Sequence, residues 1–239
     1  MTYRAVVFDM GGVIMNYSKM PYIKGLFDLS KNNSILQETW DSLELGRTNL
    51  KDCDSIFKDF ISEKPLLCEE IMKAAKNGLV LSVFENMTEV LELLPFVSCI
   101  YPLDYSLKFF KQHVGSVEDE NFAKVLPALK QHGYLIGLLT NNAFHTNERK
   151  RSLVMEDAVQ KFDAVVESCR EGIRKPNPEI YKLMASRLKV RPEECVFLDD
   201  FADNCKGAEA VGMKAIKVGY ESAVPAIREL ERLLDMKLL

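Results

Sequence analysis

No apolar run in this chain approaches the ~20 residues that a membrane helix needs, so a membrane-spanning protein is not expected. A leader-like apolar segment is missing too: the chain runs almost at once into the strand-like Val6-Val7-Phe8. The mature protein is therefore expected to begin at or next to Met1 and to be cytoplasmic. Basic excess is lacking, since 31 Lys and Arg face 35 Asp and Glu, for a net charge of −4. Short basic runs such as Arg149-Lys150-Arg151 make no overall positive field, which argues against nucleic acid as a partner. The six cysteines (53, 68, 99, 169, 195 and 205) contain no C-x-x-C pair and no metal-type spacing with histidine, and they read as reduced thiols. Triplets beginning at Asn16, Asn32 and Asn86 fit a glycosylation pattern but carry no weight without an export signal. Internal repeats and low-complexity linkers are also absent.

What is present is a chain of 239 residues, 47% hydrophobic, long enough for one or two domains with a substantial core. From residue 117 onward, helical and strand patterns alternate. Ser116 with Asp119 suggests a capping box for a helix to about His132, followed by the strand Leu135–Leu139. A charge-rich helical stretch then leads to the strand Phe162–Val166. Asn177-Pro178 opens another helix with an N-cap residue and proline at the first helical position. The strand Cys195–Leu198, a helix over about 204–211, the strand Ala215–Val218 and a terminal amphipathic helix complete the series. Continuous apolar strands alternating with helices predict an α/β fold with a doubly wound parallel sheet.

Residues 16–98 differ, with helical periodicity and few strand runs, and read as a helical cap inserted between the first strand and the rest of the core (1–15 and 99–239). Phe57, Phe60 and Ile61, at helical spacing, are expected in the interior of that cap.

Chemistry is expected where apolar strands stop on polar groups. The first strand ends at Asp9, with Gly11 and Gly12 allowing a sharp turn. The others border Thr140-Asn141, Lys175 and Asp199-Asp200. A parallel sheet would gather all of them on its carboxyl edge. Two adjacent acids with a separate carboxylate suit a hard cation such as Mg²⁺. Thr140, the Asn141 amide and the Lys175 ammonium suit a phosphoryl group. Plainer roles stay open: Asp9 or one of Asp199 and Asp200 as a helix cap, Thr140 as a hydroxyl satisfying the backbone, and His145 as a solvated loop residue.

Four ordered segments, Phe8-Asp9-x-Gly-Gly-Val, Leu139-Thr140-Asn141-Asn142, Arg174-Lys175-Pro176-Asn177-Pro178 and Phe197-Leu198-Asp199-Asp200 with Asn204, resemble the motifs of the haloacid dehalogenase superfamily. The inserted helices resemble its helical C1 cap, and the phosphatase-like N-terminal domains of soluble epoxide hydrolases are similar. The resemblance implies that Asp9 is the nucleophile accepting a phosphoryl group and, with the Gly11 carbonyl and Asp199-Asp200, a Mg²⁺ ligand. It implies that Thr140 and Asn141 bind the phosphoryl oxygens while Lys175 neutralises charge beside Asp9. A small phosphorylated metabolite is the implied substrate. Arg47, in the cap turn Leu43–Thr48, is a weak candidate for its polar end, alongside Tyr17, Tyr22 and Trp40. Dehalogenation fits less well, because two adjacent carboxylates without a cation would repel an anionic substrate.

One departure stands out. The residue two after the nucleophile, usually a second Asp that protonates the leaving group, is Gly11 here. Side-chain proton transfer contributes ~10²–10⁴-fold, less than whole-enzyme accelerations for phosphate esters, so impaired turnover is expected, with activated phosphates as the favoured substrates. The rival reading is a pseudo-phosphatase that binds a phosphate ligand or a protein.

Overall fold

The computed structural model describes residues 2–15, 31–62, 118–154 and 157–239. Tyr17, Tyr22, His113, Ser116, Cys68, Cys99 and residues 63–98 of the cap lie outside them.

Five strands form one parallel sheet: β1 (Ala5–Phe8), β2 (Leu135–Thr140), β3 (Ala164–Glu167), β4 (Cys195–Asp199) and β5 (Lys214–Lys217), in the order β3-β2-β1-β4-β5. Val7 pairs with Gly137 on one side and with Phe197 on the other. Alternate residues of each strand face opposite layers. Val6, Phe8, Ile136, Leu138, Val196 and Leu198 pack against helices α3 (Phe122–Gln131) and α8 (Val224–Leu234). Ala5, Val7, Leu139, Cys195 and Phe197 pack against α6 (Pro178–Arg187) and α7 (Ala202–Ala210). Burial on both faces explains why the strands read as unbroken apolar runs. The doubly wound expectation therefore holds.

The strand order matters for the site. After β1 the chain adds β2 and β3 on one side, then returns to place β4 and β5 on the other. The crevice at the carboxyl ends of β1 and β4 is a topological switch point, where open α/β sheets bind ligands.

Of the cap, the structure describes α1 (Ser34–Glu44), capped by Asn33 through the Leu36 amide, and α2 (Asp54–Ser62). Leu43, Leu50 and Cys53 form a small cluster with Ala143 of the core, against which Trp40, Phe57 and Leu153 pack. Trp40 and Phe57 meet with ring centroids 5.2 Å apart. Phe57, expected in the cap interior, and Trp40, a substrate candidate, are both half-buried against this cluster. Phe60 is half-buried.

Several local expectations change. The charge-rich stretch after Asn142 is not a continuous helix. Phe144 instead bridges to Asn49 and Ser152, its ring lying near the guanidinium groups of Arg149 and Arg170, and among the described residues helical structure here is limited to α4 (Ala158–Lys161) and, after β3, α5 (Ser168–Glu171). Tertiary pairing has overridden local helical preference. Ser116 of the expected capping box lies outside the described residues; the Asp119 carboxylate accepts the Asn121 and Phe122 amides at the start of α3. Finally, β3 starts at Ala164 because the Asp163 carboxylate takes the Ile136 amide while Phe162 turns into the core.

Candidate active site

The carboxyl edge gathers every strand-end residue singled out above. Asp9 follows β1, and its amide donates to the Leu198 carbonyl of β4, which fixes the spacing of the two strand ends. Beyond it the chain turns tightly: Met15 N–H donates to the Met10 carbonyl and Gly12 N–H to that of Met15. Gly12 has φ +74°, and a Cβ there would stand 2.4 Å from Asp200 Oδ2. Glycine is needed both for the turn and for the approach of the acid.

Lys175 is the centre of the site. It is only 1% exposed, and its Nζ lies 2.9 Å from Asp9 Oδ1 and 2.7 Å from Asp199 Oδ2. Its backbone is clamped by the Asn141 side chain, whose Oδ1 accepts the Lys175 amide at 2.9 Å while Nδ2 donates to the Lys175 carbonyl at 3.1 Å. This assigns the Asn141 carboxamide a positioning task. Asn177 caps α6 by accepting the Glu179 amide, which ends the loop two residues after Lys175.

The two adjacent acids differ sharply. Both oxygens of Asp199 are engaged: Oδ2 by Lys175, Oδ1 by the Phe201 amide at 2.7 Å, and both by Asn204 Nδ2 at 3.0 and 3.1 Å. Asp200, by contrast, holds a buried Oδ1 without a hydrogen-bond partner. Asp9, Asp199 and Asp200 each place a carboxylate oxygen within 4.8 Å of the others. Thr140 is buried at the end of β2, where its hydroxyl makes only a long 3.3 Å bond to the Asn141 carbonyl.

Three carboxylates around one ammonium leave excess negative charge in a water-poor place. Burial pushes Asp9 up to about 7, with Lys175 pulling down and Asp199 pushing up. Burial, then the charges of Asp9 and Asp199, push Asp200 up to about 8. For Lys175, burial opposes the charged form, but Asp199 and Asp9 outweigh it and hold the ammonium above the usual lysine range. A divalent cation bound by the acids would remove that imbalance.

Two residues at this edge were not anticipated. Arg174, next to Lys175, reaches the cap helix α1, contacting Asp41 and placing Nε 2.7 Å from Glu44 Oε2. Asp41 and Glu44 stand three apart on α1, a spacing that puts them on one helix face; with Arg174 beside the motif lysine, this was the available signal. Arg47 lies in the exposed turn after α1, its amide donating to the Ser42 carbonyl. His145 is half-buried, its backbone paired with Lys51 and Arg151.

Comparison with known proteins agrees with the fold. The family model of the haloacid dehalogenase-like hydrolases matches residues 3–212. Bifunctional epoxide hydrolase 2 of Sus scrofa is 32% identical over 188 residues, which cover 72% of this chain and 34% of that protein. The chain thus spans about a third of that longer relative. Glyceraldehyde 3-phosphate phosphatase of Pyrococcus furiosus is 32% identical, over 67% of this chain and 80% of that one. Sesquiterpene phosphatase astK of Aspergillus oryzae is 26% identical, over 89% and 88%.

Proposed function

The chain belongs to the haloacid dehalogenase-like hydrolases, and we propose that it is a Mg²⁺-dependent phosphatase acting on a small phosphorylated metabolite through an aspartyl-phosphate on Asp9. The observation that carries this reading is the division of labour at the end of β4. Asp199 is saturated by Lys175, Phe201 and Asn204, while Asp200 presents a buried oxygen that no protein donor satisfies. Hard cations take such oxygens. Two of the similar proteins are named as phosphatases of small metabolites, which supports the same reading.

Asp9, Asp200 and the Gly11 carbonyl would hold Mg²⁺, with Asp199 behind them as the anchor of Lys175. The two bonds that close the turn use the carbonyls of Met10 and Met15 rather than that of Gly11, which suits this role. When bound, the cation shields the charge of the phosphate from the attacking carboxylate. Lys175, donating to Asp9 Oδ1, orients the nucleophile and adds positive charge beside the phosphoryl group. Thr140 and the backbone N–H of Asn141 are left to bind the phosphoryl oxygens, since the Asn141 side chain is committed to the Lys175 loop. Asp9 attacks phosphorus, the bond to the leaving oxygen breaks, and water later releases phosphate from Asp9.

The test is phosphate release from acetyl phosphate, whose leaving group needs no proton, for the native chain and Asp9→Asn. Release that requires both Mg²⁺ and Asp9 is expected, with the variant at least ~10³-fold slower. Failure of the native chain to release phosphate would overturn the reading.

Gly11, where a second Asp would serve as acid and base, favours one alternative: a pseudo-phosphatase that binds phosphate ligands without turnover. Thermal stabilisation by Mg²⁺ and beryllium fluoride, dependent on Asp9 but without any phosphate release, would select it.

A further inference from the structure

We infer that Glu44 of the cap helix is the general acid and base of this site, supplying from α1 the proton transfer that Gly11 cannot. The inference rests on the aspartyl-phosphate reading above. Glu44 is the last residue of α1, and its carboxylate meets Arg174, which precedes Lys175 at the sheet edge. There Oε2 is buried without a hydrogen-bond partner, although Arg174 Nε lies 2.7 Å away. The guanidinium fixes the position of the carboxylate. The surroundings of Glu44 are those of the reaction centre: Arg174, which it meets, is the chain neighbour of Lys175, and the charges of Lys175 and Asp9 act on it.

Position along the cap is set tightly. The turn after Glu44 passes through Gly46, at φ +65°, where a Cβ would stand 2.1 Å from the Cys169 carbonyl of α5. The end of α1 is thus pressed onto the core. Arg174 holds Asp41 and Glu44 together, but Asp41 is 55% exposed and Glu44 only 20%. The other described carboxylates at this edge have tasks already. Asp9 is the nucleophile, Asp199 is saturated, Asp200 faces the cation, and Glu167 takes Asn142 and Arg170.

Burial pushes Glu44 up to about 7, helped by the charge of Asp9 and opposed by Lys175 and Asn141. A carboxyl group near neutrality can both give and take a proton. In the first step Asp9 bonds to phosphorus, the bond from phosphorus to the leaving oxygen breaks with its electron pair on oxygen, and that oxygen takes the Glu44 proton. In the second step water attacks phosphorus and gives a proton to Glu44. The bond to Asp9 breaks, and the products are phosphate, an ionised Asp9 and a protonated Glu44.

The experiment compares Glu44→Gln with the native chain on acetyl phosphate and ethyl phosphate. Only ethyl phosphate needs its leaving group protonated. The expected result is a loss of ~10²-fold or more on ethyl phosphate, with acetyl phosphate within a few-fold in the phosphorylation step. Small carboxylic acids are expected to restore ethyl phosphate hydrolysis in Glu44→Ala, a rescue that a purely structural role would not give. Equal losses on both substrates in the phosphorylation step, or a native chain active on acetyl phosphate alone, would overturn the role of Glu44 and leave the phosphatase standing. No Asp9-dependent release from acetyl phosphate would instead remove the reading beneath it. Retained stabilisation by Mg²⁺ and beryllium fluoride shows that each variant still folds its site, and a variant that loses it while unfolded hands the decision to the rescue measurement.

Discussion

Lys175 and Arg174 are neighbours in the chain, yet they serve two regions held together by different physics. Lys175 belongs to the core: its ammonium is buried and pinned between Asp9 and Asp199. Arg174 belongs to the seam with the cap, where it is 32% exposed and meets an acid that is more exposed still. Charges in the core act at low dielectric, where an unpaired group is expensive. At the seam the Arg174–Asp41 pair is screened and individually weak. The core can therefore hold a reacting centre rigid, and the cap end can be tuned at small cost in stability.

The largest effect that would test this contrast is Lys175→Met. It strands the carboxylates of Asp9 and Asp199, and breaking a buried pair costs ~3–5 kcal/mol. Denaturant unfolding without metal is expected to show that loss, and Mg²⁺ is expected to recover part of it by taking over as counter-charge. A loss below ~1 kcal/mol would mean that the site is wetter than its burial implies.

Each region also has a glycine at positive φ, and the two should respond differently to alanine. Adding a side chain at positive φ costs ~1–2 kcal/mol in both. At Gly46 the new Cβ meets a backbone carbonyl, which cannot swing aside, so overpacking adds ~1–3 kcal/mol. At Gly12 it meets the Asp200 carboxylate, which can turn away. Gly46→Ala is expected to be the less stable protein, and Gly12→Ala the one that binds Mg²⁺ more weakly. Calorimetry of both with and without Mg²⁺ checks the order, and the reverse order would break the comparison.

That contrast also explains what the sequence revealed. Strand ends were legible because a strand buried on both faces reads as an apolar run and stops abruptly at its first polar residue, as at Asp9, Thr140 and Asp199. The parallel topology then brings those ends together without further information. Glu44 and Arg174 were not legible, because their pairing joins positions 130 residues apart through the docking of a cap helix whose sequence shows only amphipathic spacing. Arg47 drew attention in the same turn, although Glu44 is the residue that faces the core. The segment after Asn142 misled for a related reason: its charges suit a helix, but Phe144 finds partners in Asn49 and Ser152.

The pH dependence of stability sharpens the role of the seam. In the folded protein Glu44 holds its proton up to about 7, whereas the unfolded chain releases it near the ordinary value of 4.5. Between those values the folded state binds more protons, so this group costs the native chain stability as pH rises. Below the lower value the cost vanishes, and above the upper one it is complete. Glu44→Gln lacks it. The stability difference between the two proteins should therefore drift toward the variant across that window by on the order of 3 kcal/mol, whatever constant offset the lost Arg174 contact adds. Urea denaturation at several pH values measures the drift, and a flat difference would show that Arg174 keeps Glu44 an ordinary carboxylate.

The smallest effect is expected at Arg174 itself. Arg174→Gln removes the contacts to Asp41 and Glu44, but Asp41 remains solvated and pairs of this exposure are worth ~0–1 kcal/mol. Stability should therefore fall by no more than about 1 kcal/mol, in contrast to the loss at its neighbour Lys175. Kinetically the variant should differ from Glu44→Gln. Loosening the seam lowers turnover of ethyl phosphate more than that of acetyl phosphate, but by less than Glu44→Gln does, because the proton donor is still present but less well held. A loss on ethyl phosphate in Arg174→Gln as deep as that of Glu44→Gln would show that the guanidinium sets the proton affinity of Glu44 as well as its place, and would join the two regions into one electrostatic unit.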